Sequence, residues 1–203
     1  MDRPENIPEI TSTNTELHSD QYPFTLPLRV SSFENEKVYT GFIKNCEKLI
    51  RGSLEFKLWR DYIRDVLHQT TCSITNEVMG ETTIEIHHHI PDLFTLVKAL
   101  VNKKLSVEDS FSTFDISLEA IELHFNNNVG YTPLITSLHE KYHNGFLRIP
   151  IEYIQGNYQY FIENYMTYLE DDDISKIMEK TAVHLQDNPE YTWTRDSYTE
   201  ARS

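Results

Sequence analysis

Two groups of histidines constrain this chain more than any other feature: His87-His88-His89, and, well downstream, His139-Glu140-Lys141-Tyr142-His143. The triplet closes an alternating run, Thr83-Ile84-Glu85-Ile86, that reads as a strand. The second pair stands in Leu134-Ile135-Thr136-Ser137-Leu138-His139, and Pro133 just before it predicts a helix start. Histidines four apart on a helix share one face, about 6 Å apart along the axis, so both imidazoles can meet one metal ion. One more imidazole from the strand gives a three-histidine site with positions left for water and substrate. That layout suits catalytic metals more than structural ones.

The same residues carry a family resemblance. Glu85-Ile86-His87-His88, with Pro91 shortly after, then Pro133-Leu134 and a His-x-x-x-His helix ending in Asn144-Gly145, resemble the HNH (ββα-metal) endonuclease motif. The resemblance covers roughly residues 70 to 150. It implies that His87, His139 and His143 bind one divalent ion (Mg²⁺, Mn²⁺, Ni²⁺ or Zn²⁺) and that His88 is the general base. It also implies a bacteriophage or mobile-element source. The family pattern gives His89 no role, although alternation puts it on the strand face of His87. It stays a supporting candidate.

Three departures from the pattern matter. Many relatives hold a structural zinc with two C-x-x-C pairs. Here Cys72 would open the first, but Thr75 occupies the second place, and Ile135 and Leu138 stand where the other pair would be. One cysteine cannot hold a tetrahedral zinc, so no structural zinc is expected and apolar packing replaces it. The asparagine of the motif is displaced: Gly130 stands in its place, with Asn126, Asn127 and Asn128 just upstream, and Asn128 is the second supporting candidate. The stretch between His89 and Val129 is long, which implies a helical insertion at about 92–128.

Charge bears on the partner. The chain of 203 residues carries a formal net charge of −14. Residues 1–36 hold seven acidic and two basic side chains, and residues 170–203 nine and four, so each end contributes −5. The middle, 37–169, has sixteen acidic and twelve basic, only −4. A basic surface is the usual footprint of DNA binding, and the whole chain lacks one. DNA is the partner the resemblance implies, weakened by this acidity, and a protein partner is the alternative. Two isolated cysteines, Cys46 and Cys72, make no disulfide framework, and no apolar run is long enough to span a membrane. A cytoplasmic setting, in a bacterium or a phage-infected cell, is the expectation.

Three regions follow from the pattern along the chain. Residues 1–35, with Pro4, Pro8, Pro23 and Pro27, read as an extended or disordered arm whose apolar Tyr22–Leu28 patch docks on the body, with docking on a partner as the alternative. Residues 36–169 read as a single HNH-like domain, and 170–203 as an acidic, helical and frayed tail. Within the domain, Phe42, Ile43, Cys46, Leu49 and Ile50 form one helical stripe. Leu58, Trp59, Tyr62, Ile63, Val66 and Leu67 form a second, with Ser53 as N-cap. Lys44, Lys48 and Arg51, then Lys57, Arg60 and Arg64, read first as solvated faces with acids nearby; tracking a phosphate backbone is the functional alternative. Cys72 to Glu85 reads as a hairpin turning at Gly80. Helices are expected around Leu93–Val101, Ile116–Phe125 and Tyr158–Leu169. His18, His68, His124 and His184 show no partner in the sequence.

The fold class expected is α+β: a central β-hairpin and metal-binding helix wrapped by additional helices. The function expected is metal-dependent cleavage of DNA phosphodiester bonds. The rival readings are a catalytically degenerate HNH-fold module that binds a protein, and a structural protein whose histidines are polar residues at a packed edge. Glu85, Asp92 and Glu140 are the carboxylates near enough in sequence to orient a ligand imidazole.

Overall fold

The helical period of residues 36–69 is realised as two helices and a widened turn. The computed structural model describes residues 16–17, 26–27, 29–80, 82–107 and 110–187. Within the expected N-terminal arm, strands β1 (Glu16–Leu17) and β2 (Leu26–Pro27) pair antiparallel. The rest of that arm to Leu28, and the end of the tail, lie outside the described residues.

Helix α1 (Glu36–Gly52) starts where Asn35 accepts a hydrogen bond from the Val38 amide, and it buries Phe42, Ile43, Cys46 and Ile50. Ser53 ends α1 and caps α2 (Leu54–Asp61), as its position predicts, by accepting from the Phe56 amide. A π-helical turn, Tyr62–Val66, continues α2. The second stripe differs from the expectation. Phe56, Trp59 and Ile63 face the core, whereas Leu58, Tyr62, Val66 and Leu67 are exposed. Positions 56, 59 and 63 are three and four residues apart, so they share one helix face, and that face packs into the main core.

The strand ending in the histidine triplet is β3 (Ile84–Ile90), and its partner is β4 (Gly130–Ile135), not the Cys72–Glu85 segment. Before β3, the described residues there make isolated bridges, Thr71 with Val78 and Met79 with Thr82, around Gly80 with its positive φ. In the antiparallel β3–β4 pair, His87 stands opposite Thr132, His88 opposite Tyr131 and Ile90 opposite Gly130, with a bulge at His89. Pro133, expected at a helix start, lies in β4 opposite Ile86; α5 (Thr136–His143) begins three residues later. Proline fits there because β4 belongs to a two-stranded ladder, where one missing N–H is tolerated at an edge. Asn144 and left-handed Gly145 close α5 as the sequence predicts.

Between β3 and β4 the expected insertion forms α3 (Leu93–Ser106) and α4 (Thr113–Phe125), the latter with a Ser112/Asp115 capping box. Helix α6 (Tyr158–Tyr165) and a 3₁₀ turn to Tyr168 follow, then α7 (Asp171–Thr181). The main core joins α1–α4, α6 and the β3 end through residues such as Ile43, Trp59, Leu100, Ile116 and Phe161. Ile177 of α7 packs in it too, and Asp173 and Glu170 each hold Lys98 of α3 at 2.8 Å. A smaller core gathers Cys72, Ile74, Ile84, Leu134, Ile135, Leu138, Leu147 and Ile149 behind α5. The fold is mixed α+β, with seven α-helices among the described residues.

Candidate metal centre

Strand alternation sends His87 and His88 to opposite faces of β3. His87 faces α5, where its ring meets His139, Tyr142 and His143 at centroid distances of 4.9, 4.4 and 5.3 Å. One ligand atom from each of His87, His139 and His143 lies within 4.8 Å of the others. The Nε2 atoms of His139 and His143 are 2.9 Å apart. That is close to the spacing of two imidazoles bound at about 2.0–2.1 Å to one ion. His87 Nε2 is buried and has no protein partner. An orphaned buried imidazole nitrogen beside two others that face each other is the donor set a divalent ion requires, so the residues fit the group.

Burial and neighbouring charges keep His87 and His143 in the ligating form. Burial above all, with His89, His139, His143 and Lys180 adding to it, pulls His87 down to about 2. His143 is lowered by burial and then by His139. A neutral imidazole offers a lone pair to a metal, whereas a protonated one does not.

Of the three nearby carboxylates, Glu85 is the one that reaches a ligand. It pairs with His139 Nδ1 through Oε2 and accepts the Thr136 hydroxyl through Oε1 at 3.1 Å. With Nδ1 of His139 committed to Glu85, its Nε2 is the atom turned toward His143. Asp92 instead caps α3 through the Thr95 amide and pairs with Lys180 at 3.3 Å.

The other sequence candidates fall elsewhere. His88 turns toward α4, where its Nε2 lies 2.9 Å from Nε2 of His124, and its Nδ1 is buried without a partner. Burial, then His124 and His87, hold His88 well below the usual histidine range, while the Pro91 carbonyl acts the other way. His89 is buried, with both ring nitrogens unpartnered, and lies beside His87 and Tyr142 at 5.6 and 5.3 Å. Burial lowers it to about 3. Asn128 lines a separate cleft with Glu119, Tyr160 and Tyr165. Gly130 explains why no asparagine stands in its place: a Cβ there would meet the Ile90 carbonyl oxygen at 2.8 Å and Ile154 and Tyr158 at 3.0 Å. His124 is the residue that sequence reasoning missed, because its partner lies far away in the chain.

A cleft of about 860 Å³ opens on the histidines. Arg51, Lys57, Arg60 and Arg64 line it from α1, α2 and the π turn, and Lys180 lines it from α7. Four of the six cations read from sequence as solvated faces, Arg51, Lys57, Arg60 and Arg64, thus line the candidate site, and Lys44 and Lys48 are not among its lining residues. Several are partly neutralised: Arg64 by Asp61 and Asp65, Arg51 by Glu47, Lys180 by Asp92. Lys57 and Arg60 form no ion pair among the described residues, and Arg60 lies over the Phe56 ring.

Fold and site together define an α+β protein with a three-histidine candidate metal centre at a strand–helix junction. The chain belongs to the bacteriophage G278-like virion protein family, whose model matches residues 6–194. Neither a curated protein nor a solved structure matches it. A phage association therefore stands, as the resemblance implied. No helix among the described residues is long and apolar enough to cross a membrane.

Proposed function

We propose that this protein is a metal-dependent endonuclease of the HNH type, acting on DNA phosphodiester bonds. The observation that carries the reading is the convergence of His87, His139 and His143 at the floor of a cleft walled by Arg51, Lys57, Arg60, Arg64 and Lys180. The succession β3, β4, α5, with one histidine from the strand and two from the helix, supports the same reading.

His87, His139 and His143 would hold the ion, with Glu85 orienting His139. When bound, a divalent ion supplies Lewis-acid polarisation of a phosphoryl oxygen and stabilises the leaving oxygen. The cleft cations bind the flanking phosphates. Lys57 and Arg60, free of ion pairs among the described residues, do so at the least electrostatic cost. His88 would take the proton of the attacking water at Nδ1, since Nε2 is committed to His124; Nδ1 is buried, so the ring must be uncovered for water to reach it. The family's description as virion proteins supports a setting in phage particles or infected cells.

A second reading has its own observation. Leu54, Leu58, Tyr62 and Val66 stand four apart along α2 and its π turn and are 63%, 49%, 46% and 58% exposed. Such a stripe suits a protein partner, with the ββα framework kept and catalysis lost. Plasmid nicking with Mg²⁺, Mn²⁺ or Ni²⁺ separates the two. Nicking by the wild type that His88→Ala abolishes, with metal binding intact, supports the endonuclease; no nicking with any of these ions favours the interaction module.

A further inference from the structure

His124 lies in the last turn of α4, in the insertion and outside the HNH-like motif. It is buried between the rings of Phe56 and Trp59, both met edge-on at 5.3 and 4.7 Å. Its Nδ1 is 2.6 Å from the carbonyl oxygen of Ala120. A carbonyl only accepts, so Nδ1 of His124 carries a proton. In the neutral ring Nε2 then holds the lone pair, and it faces Nε2 of His88 at 2.9 Å. Two lone pairs cannot face each other at that distance, so the proton between them belongs to His88. No carboxylate among the described residues pairs with either ring, and His88 Nδ1 makes no hydrogen bond, to the Pro91 carbonyl or to any other group.

We propose that His124 is a positioning residue for His88: it holds the ring in the Nε2–H tautomer and leaves Nδ1 as the one ring atom able to take a proton. The proposal rests on the reading of His88 as general base. It gives the inserted helix α4 a task at the site, since the Ala120–His124–His88 chain ties α4 to the strand that carries His87. It also accounts for a polar pair in an otherwise apolar part of the main core, where an isolated imidazole N–H would go unsatisfied.

The test uses the full-length protein, ¹⁵N-labelled and metal-free. Long-range ¹H–¹⁵N spectra should show His124 as the Nδ1–H form and His88 as the Nε2–H form, with a through-hydrogen-bond coupling between their Nε2 atoms. A His88 protonated at Nδ1, toward the Pro91 carbonyl, would overturn the proposal, as would His124 protonated at Nε2. His124→Gln places an amide oxygen near the lost Nε2 and should keep His88 in one tautomer. With any ion that supports nicking, His124→Leu should lower kcat about 10–100-fold with KM and metal affinity unchanged, and His124→Gln should restore most of it. Equal kcat in His124→Leu and wild type would contradict the role. If His124→Leu does not fold, the wild-type spectra and His124→Gln decide. A wild type inactive with every ion removes the base reading, while the spectra still decide the positioning.

Discussion

The Nε2 atoms of His139 and His143 face each other across 2.9 Å on one side of α5. Neither is turned to a carboxylate or a carbonyl. His87 Nε2 is buried nearby without a partner, so three imidazole nitrogens converge, one of them with no protein group to satisfy it.

Glu85 should act on the metal through His139 alone. Glu85→Ala removes the acceptor that fixes His139 Nδ1, and outer-shell losses of this kind cost about 10–100-fold in affinity. Isothermal titration with Mn²⁺ or Zn²⁺ checks it. An unchanged affinity means the Glu85–His139 contact does not tune the site.

The small core behind α5 should stand without zinc. Ile135 and Leu138 are buried together with Cys72 and Leu134, and two side chains of this kind supply about 1.5–3 kcal/mol each. Ile135→Asp buries an unpaired charge and should unfold the domain, whereas a chelator should leave the circular dichroism and melting cooperativity of the wild type intact. A chelator that collapses the fold would mean that a structural ion is present after all.

Restoring the motif's asparagine should harm the protein. At Gly130 any Cβ meets the Ile90 carbonyl oxygen at 2.8 Å, and backbone cannot move aside cheaply. Gly130→Asn should destabilise by about 1–3 kcal/mol, as overpacking does, and raise no activity. Denaturant melts of the two proteins measure the difference.

Much of the site was legible because its spacing is local. His139 and His143 needed only the helical period; strand alternation left His87 and His89 on one face, and the family resemblance singled out His87. Glu85 was visible as one carboxylate of three, but its choice over Asp92 depends on where Thr136 and α3 stand. His124 was not legible at all: its bond to His88 arises from packing α4 over β3, which no short-range pattern encodes. Pro133 misled for the same reason. Its local signal is a helix start, and pairing with Ile86 across the whole insertion overrides it. Likewise the inward face of α2 was set by tertiary contact, so Leu58 and Tyr62 lie outside although their period alone would bury them.

Acid should loosen the metal-free fold. His87, His89 and His124 are held at about 2, 3 and 4, and His88 is lowered as well, each mainly by burial. In the unfolded chain such groups titrate near about 6.5, so below that pH the unfolded state binds more protons than the folded one. Their contribution is complete above about pH 6.5 and is lost as pH falls toward the folded values, by up to about 1.4 kcal/mol per pH unit for each ring. Urea melts between pH 7.5 and 4.5 should show stability falling steadily. A flat profile would mean that these rings are not buried in the neutral state.

The most direct test of the account is anomalous diffraction from crystals of the full chain soaked in Mn²⁺ or Zn²⁺. The predicted result is one strong peak within about 2.0–2.3 Å of a ring nitrogen of each of His87, His139 and His143, and its loss in His143→Ala. A wild-type map with no peak between these three rings, or with the ion bound elsewhere, would contradict the metal centre and the phosphodiester chemistry built on it.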